Sequence, residues 1–119
     1  MNTDLRDRTK HFALNIISMF VALPKKVEAQ VIGKQVLRSG TAVGANYCEA
    51  YRSRSSVEFI AKMGDCLKEL EETAYWLELL VESGTADQKN VAAVRKECDE
   101  LIAIFVTIIK KSKKEKSIS

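Results

Sequence analysis

Leu37-Arg-Ser-Gly-Thr-Ala-Val-Gly-Ala-Asn-Tyr-Cys-Glu-Ala-Tyr-Arg-Ser-Arg-Ser55 decides how this chain is read. Val36, Ser39, Val43, Asn46 and Ala50 recur at alternating spacings of three and four, so the stretch is the second half of a helix with one inward seam. Yet Gly40 and Gly44 lie in its interior, and each costs about 1 kcal/mol relative to Ala. Gly33, Leu37, Gly40, Gly44, Tyr47 and Tyr51 line a second seam beside the first. Small residues there let another helix approach closely, from within the chain or from a neighbouring subunit, and that packing offsets the cost. The stretch is a packing and register device first.

Working outward, the same periodicity continues. Phe12, Ile16, Met19 and Leu23 form the seam of a helix from about Thr3 to Ala22, which Pro24 interrupts. Lys25 and Lys26 open the second helix, whose seam also takes in Ala29 and Ile32 and which runs to about Tyr51. Ser53 to Ser56 form the next break, and Ser55-Ser-Val-Glu58 fits a capping box. The third helix follows to about Glu82, with seam Ile60, Met63, Leu67, Leu70, Ala74, Leu77, Val81 and a glycine, Gly84, placed to end it. The fourth runs from about Asp87 to Lys110, with seam Val91, Val94, Cys98, Leu101, Phe105, Ile108. Short connections and seams of period near 3.5 predict an all-α, antiparallel up-down four-helix bundle over residues 1–112. Residues 113–119 are expected to be a basic, disordered tail.

Composition agrees. A chain of 119 residues makes one domain, its hydrophobic fraction of 46% supplies a core, and a single proline favours helices over a sandwich or barrel. The amino terminus is charged and carries no apolar signal core. The longest strongly apolar run, Leu101 to Ile109, is far short of the ~20 residues that span a bilayer. A soluble, cytoplasmic protein without membrane contact is expected. Cys48, Cys66 and Cys98 are odd in number and lack Cys-x-x-Cys spacing, which fits small buried thiols in a reducing compartment.

Leu101 to Ile109 is apolar nearly all round, and helix three adds Trp76, Leu79 and Leu80 outside its seam. Surplus apolar surface of this kind predicts burial against further copies of the chain. The other reading is one wide core face that absorbs everything.

Catalytic constellations are sparse. His11 is the one imidazole, so neither a Glu-x-x-His di-iron site nor a Ser-His-Asp or Cys-His centre is expected. Gly33-Lys34 lacks the upstream glycine of a phosphate-binding loop. No catalytic residue, metal or cofactor is assigned. Helix three carries seven acidic residues, Glu58, Asp65, Glu69, Glu71, Glu72, Glu78 and Glu82, against Lys62 and Lys68, a net of −5. Such carboxylates form a solvated face or pair with a basic neighbour; acid-base work with a metal is a more distant reading.

Lys25, Lys26, Lys34, Arg38, Arg52 and Arg54 face only Glu28 and Glu49 in their stretch, and further lysines follow near the C-terminus. Two readings stay open: Arg38, Arg52, Arg54, Lys110, Lys111, Lys113 and Lys114 contact RNA or DNA phosphates, or Arg52 and Arg54 pair with the acidic helix while the tail aids solubility. Without aromatic residues interleaved among the charges, nucleic-acid binding is expected to be backbone-directed and weakly sequence-specific. The alternative role is a structural or protein-interaction scaffold.

Leu37 to Ala50, Leu23-Pro24, Phe59, and Leu67-Lys-Glu-Leu-Glu-Glu-Thr-Ala-Tyr-Trp-Leu-Glu-Leu-Leu80 resemble the four-helix-bundle family encoded in intervening sequences of bacterial 23S ribosomal RNA genes. The likeness extends from about Phe12 to Ile109. That family is similar to the accessory variability protein of diversity-generating retroelements, a barrel-like homopentamer whose basic surface binds nucleic acid and a reverse transcriptase. The resemblance implies an antiparallel bundle, pentameric assembly and RNA or DNA binding. It implies a reverse transcriptase partner only for a retroelement-associated chain, and no catalytic residues. The chain departs from the common Asn-x-Ala-Glu-Gly pattern at Cys48 and Ala50. Asn46 and Glu49 keep it, and are expected to form a buried polar contact that fixes helix register.

Overall fold

The computed structural model describes residues 2–118, which form four helices and no strand: α1 (Asn2–Val21), α2 (Val27–Tyr51), α3 (Ser56–Glu82) and α4 (Gln88–Ile118). They pack α1 on α2, α2 on α3, α3 on α4 and α1 on α4. The result measures 52 × 21 × 21 Å, with the core running along its length.

Local chemistry sets the boundaries. Ser55 caps α3, its hydroxyl accepting from Glu58 N at 3.1 Å, while the Glu58 carboxylate accepts from Arg54 N at 3.2 Å. Gly84 ends α3 at φ +74°, a conformation that favours glycine. The Asp87 carboxylate accepts from Lys89 N at the start of α4. α4 then continues through Ile118, well beyond the end expected at Lys110. The segment expected to be a disordered tail is helical up to that residue; its lysines and glutamate are good helix formers.

The predicted seams of α1 and α4 are buried, apart from the half-buried Ile108. In α3 the buried line is Met63, Cys66, Leu70, Thr73, Leu77, Leu80, displaced from the predicted seam so that Ile60, Leu67, Ala74 and Val81 flank it half-buried. Leu80 is therefore core. Trp76, Ile102, Ile104, Ile108 and Ile109 pack against the core of their own chain. The apolar excess that the sequence located on α3 and α4 is thus largely absorbed internally. Among the described residues, the large apolar side chains left exposed are Leu14, Ile17 and Val21 on α1, Val27, Val31 and Tyr51 on α2, and Val57 and Tyr75 on α3.

The glycines of α2 face α1. A Cβ on Gly33 would lie 2.7 Å from Leu23 and one on Gly40 2.8 Å from Ile16, while Gly44 lies beside Thr9. The close approach inferred from the sequence is made within the chain. Across α2 and α3, the buried hydroxyls of Ser39 and Thr73 meet at 2.7 Å. That pair, not Asn46 with Glu49, is the polar contact at the core. Asn46 is half-buried, and Glu49 is exposed with its carboxylate 2.7 Å from Lys62 Nζ on α3.

Candidate nucleic-acid interface

The turn at 52–55 is pinned by backbone bonds from Arg52 N to Glu49 O and Ser53 N to Ala50 O. With Ser55 and Glu58 holding the start of α3, both Arg52 and Arg54 are exposed. The extended α4 reaches this turn. Between them lies a groove of about 670 Å³, with Ser53, Arg54, Ser55 and Ser56 from the turn side, Ser112, Glu115 and Lys116 from α4, and Tyr47, Ala50, Tyr51 and Phe59 as its apolar part. The first turn of α3 brings the positive end of a helix dipole to the same place.

Aromatic rings therefore stand beside the cations, contrary to the expectation from sequence. Tyr51 is 45% exposed, and the Arg6 guanidinium lies 4.9 Å over its ring. Tyr47 is buried, with its ring 6.4 Å from Tyr51 and edge-on to Phe105 at 6.0 Å. Burial pushes the Tyr47 phenol upward, so it stays protonated.

The predicted basic residues separate into three groups. Arg54 lines the groove and Arg52 sits on the same turn. Lys110, Lys111, Lys113 and Lys114 are exposed on α4 but outside the groove lining, where Ser112 and Lys116 stand instead. Arg38 is about 20 Å along α2 from Tyr51 at 1.5 Å per residue. Its guanidinium pairs with Glu72 at 2.8 Å and Glu69 at 3.3 Å. Arg38 thus pairs with the acidic helix, a pairing that the sequence suggested for Arg52 and Arg54 instead. Arg8 does likewise between α1 and α4, gripping Glu97 with two nitrogens and reaching Glu100; the Glu97 carboxylate raises its affinity for its proton further.

Tyr51 and Lys116 are groove residues that sequence reasoning missed, as is Arg6, which lies outside the groove lining and over the Tyr51 ring. The sequence pattern places Tyr51 on a packing seam and Lys116 in a disordered tail. The available signal was the run Tyr51-Arg52-Ser53-Arg54, an aromatic residue directly followed by alternating cations.

The cysteines divide too. Cys66 and Cys98 are buried, and desolvation pushes both thiols up to about 12. Cys48 is exposed, against the expectation of three buried thiols. Among the described residues no cluster of three or more His, Cys, Asp or Glu side chains could hold a metal ion. No described helix is long and apolar enough to cross a membrane.

Residues 1–107 match the family model of the 23S rRNA-intervening sequence protein. The chain belongs to that family. The fold is similar to the crystal structure of a protein of unknown function from the S23 ribosomal protein family of Bacteroides thetaiotaomicron, with a TM-score of 0.84 and 34% identity over 92% of this chain and 97% of that one. No curated protein matches the chain. Arg52 and Arg54 fall inside the region shared with the 23S rRNA-intervening sequence family, and Lys110 to Lys116 lie beyond it.

Proposed function

We propose that the protein is a non-enzymatic nucleic-acid binder that holds phosphate backbones at the end of the molecule where the α2–α3 turn meets α4. The observation that carries this reading is the groove itself, which gathers Arg54, Lys116, hydroxyls of the turn and the N-terminal turn of α3 around one space. Arg52 and the lysines at 110, 111, 113 and 114 add exposed charge nearby in the chain. Such groups position a nucleic acid without reading its bases, so sequence preference is weak. Their neutralisation of phosphates releases counterions, so affinity falls with salt.

An antiparallel up-down order belongs to the same reading. Partners along α1 descend from Phe20 to Ile16 to Thr9 as those along α2 ascend from Gly33 to Gly40 to Gly44. Short connections at 22–26, 52–55 and 83–87 leave little chain for a crossover. Assembly as a homo-oligomer, pentameric by the family resemblance, gives the exposed Leu14, Ile17, Val21, Val27 and Val31 a cover. It also repeats the basic end in each copy, which raises avidity.

A structural or protein-interaction scaffold is the second reading. It is favoured by the pairing of Arg8, Arg38 and Lys62 with carboxylates of the chain. Fluorescence anisotropy with an arbitrary RNA duplex, repeated from about 50 to 200 mM salt, separates the two. Binding that weakens steeply with salt supports the first reading, and no binding at the lowest salt leaves the scaffold.

A further inference from the structure

Resting on that reading and going beyond it, we infer that the groove takes an unpaired nucleotide, its base stacked on Tyr51 and its phosphate held by Arg54 and Lys116. A duplex offers the protein phosphates but keeps its bases stacked on one another. A single strand offers both. The basic end of this molecule is furnished for both.

Three observations place the parts together. Tyr51 is a large ring left half exposed at the end of α2, on a groove that also holds charge. The Arg6 guanidinium lies 4.9 Å over one face of that ring, so a base stacking on that face displaces it, a cation and a nucleobase using the same π-surface. Arg54, Lys116 and Ser56 stand on the same groove; Ser55 Oγ already takes Glu58 N, so the phosphate rests on these side chains rather than on that amide. The space of about 670 Å³ lies within the range of roughly 300–1,000 Å³ that small-molecule sites occupy. Glu115 also lines the groove; its carboxylate works against a phosphate, so Glu115→Gln is expected to tighten binding.

The test compares a fluorescein-labelled 12-nucleotide oligo(U) with an RNA duplex of equal phosphate number, at one low salt concentration. The native chain should prefer the single strand. Tyr51→Leu should weaken oligo(U) binding by roughly 5- to 150-fold, the worth of one stacked base, and weaken duplex binding less, so that the preference for the single strand is lost. Tyr51→Phe should retain the preference. A 2-aminopurine placed in the oligonucleotide should lose fluorescence on binding the native chain and not on binding Tyr51→Leu. Circular dichroism confirms that each variant is folded. If neither nucleic acid binds, the proposed function fails as well. If both bind and Tyr51→Leu affects them equally, the stacking site alone is overturned.

Discussion

Gly40 of α2 lies against Ile16 of α1 so closely that an added methyl group would sit 2.8 Å from Ile16 Cγ1 and 3.1 Å from its Cγ2. Ile16 is fully buried and branched at Cβ, so it has little room to turn away. Gly40→Ala gains about 1 kcal/mol of helix propensity but incurs an overpacking cost of about 1–3 kcal/mol. Net destabilisation of up to about 2 kcal/mol is expected. Gly64 has nothing within 4 Å of the same position, so Gly64→Ala should stabilise by up to about 1 kcal/mol. Urea unfolding of the two variants gives opposite shifts if the α1–α2 approach is as described.

Ser39 and Thr73 form the buried hydroxyl pair between α2 and α3. Each also has a carbonyl on its own helix, Gln35 O at 2.9 Å and Glu69 O at 2.7 Å. Ser39→Ala leaves Thr73 able to donate to Glu69, so the loss should be only about 1 kcal/mol. The double variant with Thr73→Val should cost less than the sum of the singles, a coupling of about 0.5 kcal/mol or more. Strict additivity in urea unfolding would remove the pair as an interaction.

Thiol reactivity should follow burial. In the native protein at pH 8 a disulfide reagent is expected to modify Cys48 promptly, and Cys66 and Cys98 only after denaturation. The two buried thiols remain protonated in the fold up to about 12, whereas in the unfolded chain they ionise near the ordinary 9.0. Between those values the folded state binds more protons, so the thiols' contribution to stability is present below about pH 9 and is lost as pH rises toward 12. The variant Cys66→Ala with Cys98→Ala should show a shallower decline of unfolding free energy across that window.

Arg38 provides an internal control for the basic end. Its pairing with Glu69 and Glu72 is 52% exposed on the arginine side, so removing it should change stability by no more than about 1 kcal/mol. Arg38→Ala should alter RNA affinity by less than about twofold, because its charge is already matched by carboxylates. A loss equal to that of Arg52→Ala, measured by anisotropy, would relocate the interface to the middle of α2.

The helices were legible in the sequence because the inward seams repeat without a break and the stops, Pro24, Ser55 and Gly84, are chemically distinct. The glycine seam was legible as a close approach, but only the structure decided that α1 makes it. The displacement of the α3 core onto Cys66 and Thr73 was not legible. A Thr and a Cys look polar or neutral on a pattern that ranks Leu and Ala, until a facing hydroxyl such as Ser39 is known. The candidate site was half legible. Arg52 and Arg54 announced themselves by charge, while Tyr51 counted as packing and Lys116 as tail, since nothing local says that α4 continues to meet the α2–α3 turn.

The central claim is that this basic end holds phosphates, and the salt dependence of binding measures it most directly. The affinity of an RNA duplex for the native chain and for Arg52→Ala with Arg54→Ala should be followed across salt concentrations by anisotropy. For the native chain, log K should fall linearly with log salt, and the double variant should lose up to about 2 from that slope, close to one for each phosphate contact removed. Equal slopes and affinities in the two proteins, or no binding of the native chain at low salt, would contradict the account.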